Sequence, residues 1–257
     1  MLFYRPTTKF VVMLILCAIL PSPCAMATER GATTSIPIFL YHHVQELPDT
    51  ADSALRRWSL TSEKFEAQIS WFVQHGFHTI TMAQLTAHLK HGQPLPPNPV
   101  VLTFDDGWKE HYTVVFPILM KYNFVGTFFI TTDSVGHSAF VSWKQLQKMS
   151  TAGMDIQAHS LTHPHLDKLP SQEAFHEIIE SKKMIESHLN KPVVVFAYPF
   201  GGYNDTVIQM VKRAGFESAA TVSGINHGYI MDKLYTLSRF AVAGDETVDD
   251  LAQKLFR

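Results

Sequence analysis

The chain is poor in cysteine, which limits what can hold it together. Its 257 residues contain two cysteines, Cys17 and Cys24. Both precede residue 27, where we expect a leader to be removed, so the mature chain should have neither a thiol nor a disulfide. A domain of this size can rely on its own apolar core. Export without disulfides is compatible with a bacterial periplasm or the cell exterior.

The first thirty residues lack an apolar run long enough to cross a bilayer. The run over residues 10–20 has eleven residues, whereas a spanning helix needs about 20. Arg5 and Lys9 precede this run, and Ala25-Met26-Ala27 follows it. This order is typical of a secretory signal peptide. We therefore predict a signal peptide over residues 1–27 and a periplasmic or secreted protein, with an uncleaved inner-membrane anchor and contact with export machinery as the alternative.

The chain also lacks an excess of charge of either sign. Its 21 Lys and Arg and 23 Asp and Glu give a formal charge of −2, and removal of the leader with Arg5 and Lys9 makes this −4. The absence of a basic excess argues against nucleic-acid binding. The remaining 230 residues, 257 minus 27, are suited to one large domain. We expect a single domain over residues 28–257 and a monomer.

Short apolar segments alternate with helical patterns at least six times. Predicted strands include residues 36–41, 100–104 and 155–158, and predicted helices include residues 62–75, with Ser62 as the cap, and residues 171–189. Strands that are apolar on both faces are typical of a parallel sheet covered by helices. A distorted, TIM-barrel-like (β/α) barrel of about seven strands is the best interpretation. An open doubly wound sheet alternates in the same way, but no glycine-rich phosphate loop follows the first strand.

Two adjacent carboxylates follow one predicted strand, and two histidines follow another. Asp105 and Asp106 lie in the sequence Thr-Phe-Asp-Asp-Gly, and His159 and His163 come some fifty residues later. Two histidines and one carboxylate form a metal site with coordination positions open for water and substrate. The second carboxylate can then take a proton from that water.

These segments resemble the first two motifs of the polysaccharide deacetylases, carbohydrate esterase family 4, which contain the NodB-homology domain. The resemblance extends over residues 36–245. Residues 37–44 and 196–201 are similar to the branch that deacetylates poly-β-1,6-N-acetylglucosamine. The resemblance implies a hydrolase that removes N-acetyl groups from an extracellular or cell-wall polysaccharide, which would be its binding partner.

The resemblance also implies roles for individual residues. Asp106, His159 and His163 would hold the metal, and Asp105 would be the general base. The backbone N–H of Phe200 would help to hold the oxyanion. We expect zinc, although nickel, cobalt, iron or manganese are also compatible with two histidines and one aspartate.

The chain departs from the family pattern at the third motif, where Ala197 stands in place of an arginine that normally braces the base. Loss of that cation should raise the pKa of Asp105. Arg239 is our candidate to replace it from a later strand. Phe200, Tyr198 and Arg239 are the residues we expect on the substrate side of the site.

The family's Asp-Trp motif and the histidine motif that supplies its general acid are not recognisable. His42, His43 and His227 are the candidate proton donors, because a histidine is readily charged near neutral pH. Neighbouring side chains leave a strand in opposite directions, so at most one of His42 and His43 should face the site. We assign the role to His42 or His227.

Other functions remain open from the sequence. The same metal centre would serve a peptidoglycan or chitin-oligomer deacetylase, or an acetylxylan O-deacetylase. A polysaccharide-binding protein without catalysis is the alternative from another class. The four core residues argue for catalysis, while the missing arginine and histidine motifs argue for low activity.

Overall fold

The computed structural model describes residues 1–3, 36–222 and 233–255. Nearly all of the predicted signal peptide and the candidate proton donor His227 lie outside these residues. The fold described below belongs to the unit that covers residues 33–257.

Ten strands are present in the described part of the chain, and most of their side chains are buried. They are β1 (Ile38–Tyr41), β2 (His43–Val44), β3 (Ser59–Leu60), β4 (His78–Ile80), β5 (Pro99–Phe104), β6 (Thr127–Ile130), β7 (Asp155–Ala158), β8 (Val195–Ala197), β9 (Ser218–Ala220) and β10 (Phe240–Ala241).

Within the described residues, eight α-helices connect or flank these strands. They are α1 (Ser53–Trp58), α2 (Ser62–Gln74), α3 (Met82–His91), α4 (Phe116–Lys121), α5 (Trp143–Thr151), α6 (Ser171–Leu189), α7 (Asp205–Arg213) and α8 (Val248–Leu255). Capping boxes begin α3 at Thr81 and α5 at Ser142, where a side-chain oxygen satisfies an otherwise unpaired backbone N–H. Among the described helices, none has both the length and the apolar character that a membrane span requires.

The main sheet is parallel, in the order β10-β1-β5-β6-β7-β8-β9, and β4 pairs with the first half of β5. One segment, residues 237–240, contacts both edges of the sheet. Leu237 forms backbone hydrogen bonds with Ala219 and Thr221 beside β9, and Phe240 pairs with Phe39 of β1. The sheet therefore curls into a barrel-like form, and the predicted (β/α) barrel architecture is confirmed.

Aromatic side chains fill much of the core between sheet and helices. Phe104 of β5 stacks on Tyr41 of β1 and on Phe128 of β6, with ring centroids 5.3 and 4.8 Å apart. Because all the main strands are parallel, their carboxyl ends lie at one end of the barrel. His42, Asp105, His159 and Tyr198 each follow such an end directly.

The chain between β1 and α2 differs from the prediction. Residues 43–60 form β2, α1 and β3, which the sequence analysis did not predict, because two-residue strands and a six-residue helix carry little periodicity. Ser62 is not the cap of α2. The Thr61 side chain accepts the Lys64 N–H and is the N-cap.

Two helices of different type meet next to Pro117. The π-helix His111–Val115 comes first, and α4 follows directly with Pro117 in its first turn. Because the preceding residues are already helical, Pro117 removes a hydrogen bond to the preceding turn. The change of helix type lies just before Pro117.

A glycine holds the unpredicted segment against the body of the fold. The Gly244 N–H donates to the Arg57 carbonyl at 2.8 Å, and the Gly244 carbonyl accepts from Lys64. A Cβ on Gly244 would collide with the backbone carbonyl oxygens of Arg56 and Ser59. Only glycine permits this approach, which fixes the end of α1 and thereby Trp58.

Gly244→Ala should destabilise the fold by at least the upper end of the ~1–3 kcal/mol typical of overpacking, because the colliding atoms are backbone. Gly202→Ala is the matched control, since its Cβ would be crowded by the Asp167 side chain, at 2.9 Å, which can move aside, and would meet the Pro199 carbonyl oxygen only at an ordinary contact distance of 3.7 Å. Urea unfolding of both variants measures the difference, and equal losses would contradict this account.

Candidate metal centre

Asp106, His159 and His163 present three ligand atoms to one point in space. The Asp106 Oδ1 atom lies 3.6 Å from His159 Nε2 and 3.4 Å from His163 Nε2. The two Nε2 atoms are 3.2 Å apart. Ligands bound at 2.0–2.2 Å around a tetrahedral ion are separated by roughly 3.4 Å. The spacing and the donor types therefore fit a divalent transition metal, with the two-histidine, one-carboxylate set that leaves positions open.

The tautomer of His159 suits metal binding. Its Nδ1 atom lies 2.8 Å from the Ala197 carbonyl oxygen, so Nδ1 carries the proton and donates it, and the Nε2 lone pair faces the ligand cluster. Burial lowers the pKa of His159, which favours the neutral ring that a metal needs. A hydrogen bond of this kind orients metal-binding histidines generally.

Strained backbone is concentrated at this centre. Among the described residues other than glycine, seven have a positive φ, and three of them are asparagines, which tolerate it. The other four are Asp106 (75°), Ser160 (63°), His163 (65°) and Phe200 (57°). Such conformations cost about 1–3 kcal/mol each and cluster at functional sites. Two ligands and the expected oxyanion donor are among them.

Glu177 of α6 holds the histidine loop in this conformation. Its carboxylate accepts the N–H groups of Leu161 and Thr162 at 3.0 and 2.8 Å and the Thr162 hydroxyl at 2.7 Å. The His163 N–H donates to the Ser160 hydroxyl at 2.9 Å. Glu177 was not predicted from the sequence, although a carboxylate on the apolar face of α6, beside Ala174 and Ile178, was the available signal.

Asp105 lies beside the cluster and is paired with Arg239. The guanidinium donates to both carboxylate oxygens at 2.7 Å, to the Thr103 hydroxyl at 3.2 Å and to the Thr221 carbonyl at 3.2 Å. Arg239 has no exposed surface. It braces Asp105, as proposed to offset the arginine missing at Ala197, and because it is fully buried its predicted place on the substrate side of the site is wrong.

The prediction that the pKa of Asp105 would be raised is wrong. Burial by itself would raise this pKa, but the charges of Arg239 and His159 and the Arg239 hydrogen bonds more than offset it, and the pKa of Asp105 falls to about 2. The cation is not lost from the site but is supplied by Arg239, which directly precedes β10. Asp105 is therefore ionised at neutral pH.

Of the two histidines after β1, His42 faces the centre. It lines the cavity, and burial lowers its pKa. His43 points the other way, with its Nδ1 atom 2.6 Å from Glu110 Oε1. This placement agrees with the alternation expected along a strand.

The cavity at the centre has a volume of about 360 Å³. Its lining residues come from the carboxyl ends of the strands and from α1: His42, Trp58, Asp105, Asp106, His159, His163, Tyr198, Phe200 and Val222. Phe200 is 60% exposed and stacks on His165 at 4.0 Å. Tyr198 is buried, and its hydroxyl donates to the Tyr235 carbonyl. Trp58 was not predicted as a site residue because α1 was not predicted.

Comparison with known proteins agrees with this centre. The family model for polysaccharide deacetylase matches residues 92–219, which include both motifs and all three candidate ligands. The chain belongs to the polysaccharide deacetylase family, and the family resemblance seen in the sequence is confirmed.

Two curated relatives and one solved structure illustrate the similarity. YxkH of Bacillus subtilis (strain 168) is 27% identical over 194 residues, which are 76% of this chain and 66% of the relative. The poly-β-1,6-N-acetyl-D-glucosamine N-deacetylase of Staphylococcus aureus (strain MRSA252) is 28% identical over 182 residues, 65% of this chain and 62% of the relative. The chain thus spans less than two thirds of both curated relatives.

Among solved structures, the deacetylase PplD of Streptococcus pyogenes, in complex with acetate, superposes with a TM-score of 0.77 and 26% identity. The match covers 86% of this chain and 98% of PplD.

Arg239→Met should cost about 3–5 kcal/mol of stability, because it leaves the buried Asp105 carboxylate without a counter-charge. Arg239→Lys keeps the charge but not the paired geometry, so its loss should be smaller. Adding Asp105→Asn to Arg239→Met should recover part of the loss, because the unpaired charge is removed. Urea unfolding measures all three, and a Met variant as stable as the wild type would refute the assignment.

Proposed function

We propose that this chain is a metal-dependent hydrolase that removes N-acetyl groups from N-acetylglucosamine units of an extracellular or cell-wall polysaccharide. The observation that carries this proposal is the cluster of Asp106, His159 and His163 beside the Arg239-paired Asp105 in one cavity. Poly-β-1,6-N-acetylglucosamine is our proposed substrate, supported by similarity to the S. aureus enzyme of that name. The pattern of residues 1–27 supports action outside the cytoplasm.

Hydrolysis of an acetamide needs help with both reactants, since the amide is a poor electrophile and water is a poor nucleophile. A divalent ion, zinc by our expectation, supplies this help by acidifying water and polarising the carbonyl. Asp106, His159 and His163 would hold that ion.

Asp105 is placed to accept the proton of the attacking water. It is ionised, and Arg239 occupies one lone-pair position on each oxygen. An ionised carboxylate has about four such positions, so it can accept a further hydrogen bond. Arg239 thereby fixes the direction from which Asp105 receives the proton.

The departing amine needs a proton on its nitrogen, and His42 is our choice of donor among the described residues because it lines the cavity. Its lowered pKa makes the charged ring a stronger acid, although a smaller fraction is charged. The exposed Phe200 ring offers an apolar face to a sugar, and its backbone N–H is the proposed oxyanion donor.

Release of acetate tests the function. The full chain should release acetate from β-1,6-linked N-acetylglucosamine oligomers faster than from β-1,4-linked ones. Chelation should abolish release, and added metal should restore it. Release from β-1,4 oligomers or acetylxylan alone would replace the proposed substrate, and no release with any metal would favour a binding protein.

Asp105→Asn separates these outcomes in the same assay. An enzyme should lose turnover and keep its metal, because Asp105 is not a ligand in this arrangement. A binding protein should retain its affinity for the polysaccharide in this variant, with no turnover to lose.

Removing the proton donor should lower kcat by about 10²- to 10⁴-fold. His42→Asn should show this loss, and the paired variant His227→Asn tests the other histidine assigned from the sequence. Steady-state kinetics with metal content checked in each variant provides the measurement. A full loss in the His227 variant, with the His42 variant unaffected, would transfer the role to His227.

A further inference from the structure

The two oxygens of Asp106 have different partners. Oδ1 faces the two histidine Nε2 atoms, at 3.6 and 3.4 Å. Oδ2 accepts a hydrogen bond from the Trp108 indole Nε1 at 3.0 Å. Because the indole N–H is a donor only, it cannot exchange roles with the carboxylate. The oxygen it occupies is directed away from the ligand position.

The indole itself is held on both faces. The Phe140 ring stacks on Trp108 with centroids 4.5 Å apart and planes at 21°, and the His43 ring lies at 4.4 Å. Backbone hydrogen bonds tie the same segment down, from Lys109 N–H to the Ala139 carbonyl and from Val141 N–H to the Gly107 carbonyl. Trp108 therefore has little freedom to follow Asp106 if the carboxylate rotates.

The ring on the other face is fixed in turn. His43 Nδ1 lies 2.6 Å from Glu110 Oε1, and both side chains are mostly buried, with 14% and 15% exposed. The contacts thus run from Glu110 through His43 and Trp108 to Asp106. Each step joins residues that the local sequence brings to the same end of β1 and β5.

We propose that Trp108 is a positioning residue that makes Asp106 a one-oxygen ligand, with the Glu110–His43 pair holding the indole in place. This inference rests on the proposed function only through its metal site. Partners that orient a metal ligand typically contribute about 10- to 100-fold in metal affinity.

Trp108→Phe keeps an aromatic ring between His43 and Phe140 but removes the donor. Its affinity for Zn²⁺, measured by competition with a chromogenic chelator, should fall about 10- to 100-fold. The absorption spectrum of bound Co²⁺ should change as well, because the second carboxylate oxygen becomes free. Thermal unfolding of the metal-free protein should change much less.

Trp143→Phe is the matched control, because Trp143 also stacks on a histidine, His188, with centroids 3.9 Å apart, but donates to no candidate ligand in the described residues. It should bind Zn²⁺ like the wild type. His43→Leu is a second variant that leaves the indole donor in place, and its affinity should lie between those of Trp108→Phe and the wild type.

The possible outcomes distinguish the positioning role of Trp108 from the metal site on which it depends. Equal Zn²⁺ affinity and an unchanged Co²⁺ spectrum in Trp108→Phe would overturn the positioning role while leaving the metal site intact. A wild type that binds neither ion would overturn the metal centre itself. Equal losses in Trp108→Phe and Trp143→Phe would show a general effect of tryptophan loss and would also refute the inference.

Discussion

The ion pair between Asp105 and Arg239 is the contact on which the site and the closure of the sheet both depend. Arg239 comes from the segment that joins β9 to β1, and its guanidinium reaches the end of β5 and the Thr221 carbonyl. Burying two charges is costly unless each is paired and hydrogen-bonded. Here both carboxylate oxygens and all three guanidinium nitrogens have partners, so closing the barrel also orients the base.

This pairing also explains how two adjacent aspartates take different roles. Burial lowers the pKa of His159 and of His42, so Arg239 is the permanent cation against the two carboxylates. Arg239 neutralises Asp105 directly. Asp106 instead accepts a hydrogen bond from a neutral donor, the Trp108 indole, which brings no positive charge of its own. The Asp106 carboxylate is therefore the one available to attract a divalent cation at the ligand cluster.

The sequence predicted those features that depend on residues close together along the chain. Apolar runs predicted the main strands, and the alternation with helices predicted the barrel. The Asp-Asp and His-x-x-x-His segments could be placed at strand ends for the same reason. Arg239 and Asp105 are 134 residues apart, and no periodicity joins them. Arg239 became a candidate only through the gap at Ala197, and the rise in the pKa of Asp105 expected from that gap does not occur because Arg239 supplies the cation.

Residues that hold the ligands were harder to predict than the ligands themselves. Glu177 acts from the middle of α6, and Trp58 lies on a helix too short to predict. Yet the strained conformations of Asp106 and His163 exist only because such partners offset their cost. Glu177 and the Ser160 hydroxyl hold the His163 loop, and Trp108 holds Asp106. Since these contacts join protein groups alone, the fold itself brings the three ligand atoms together.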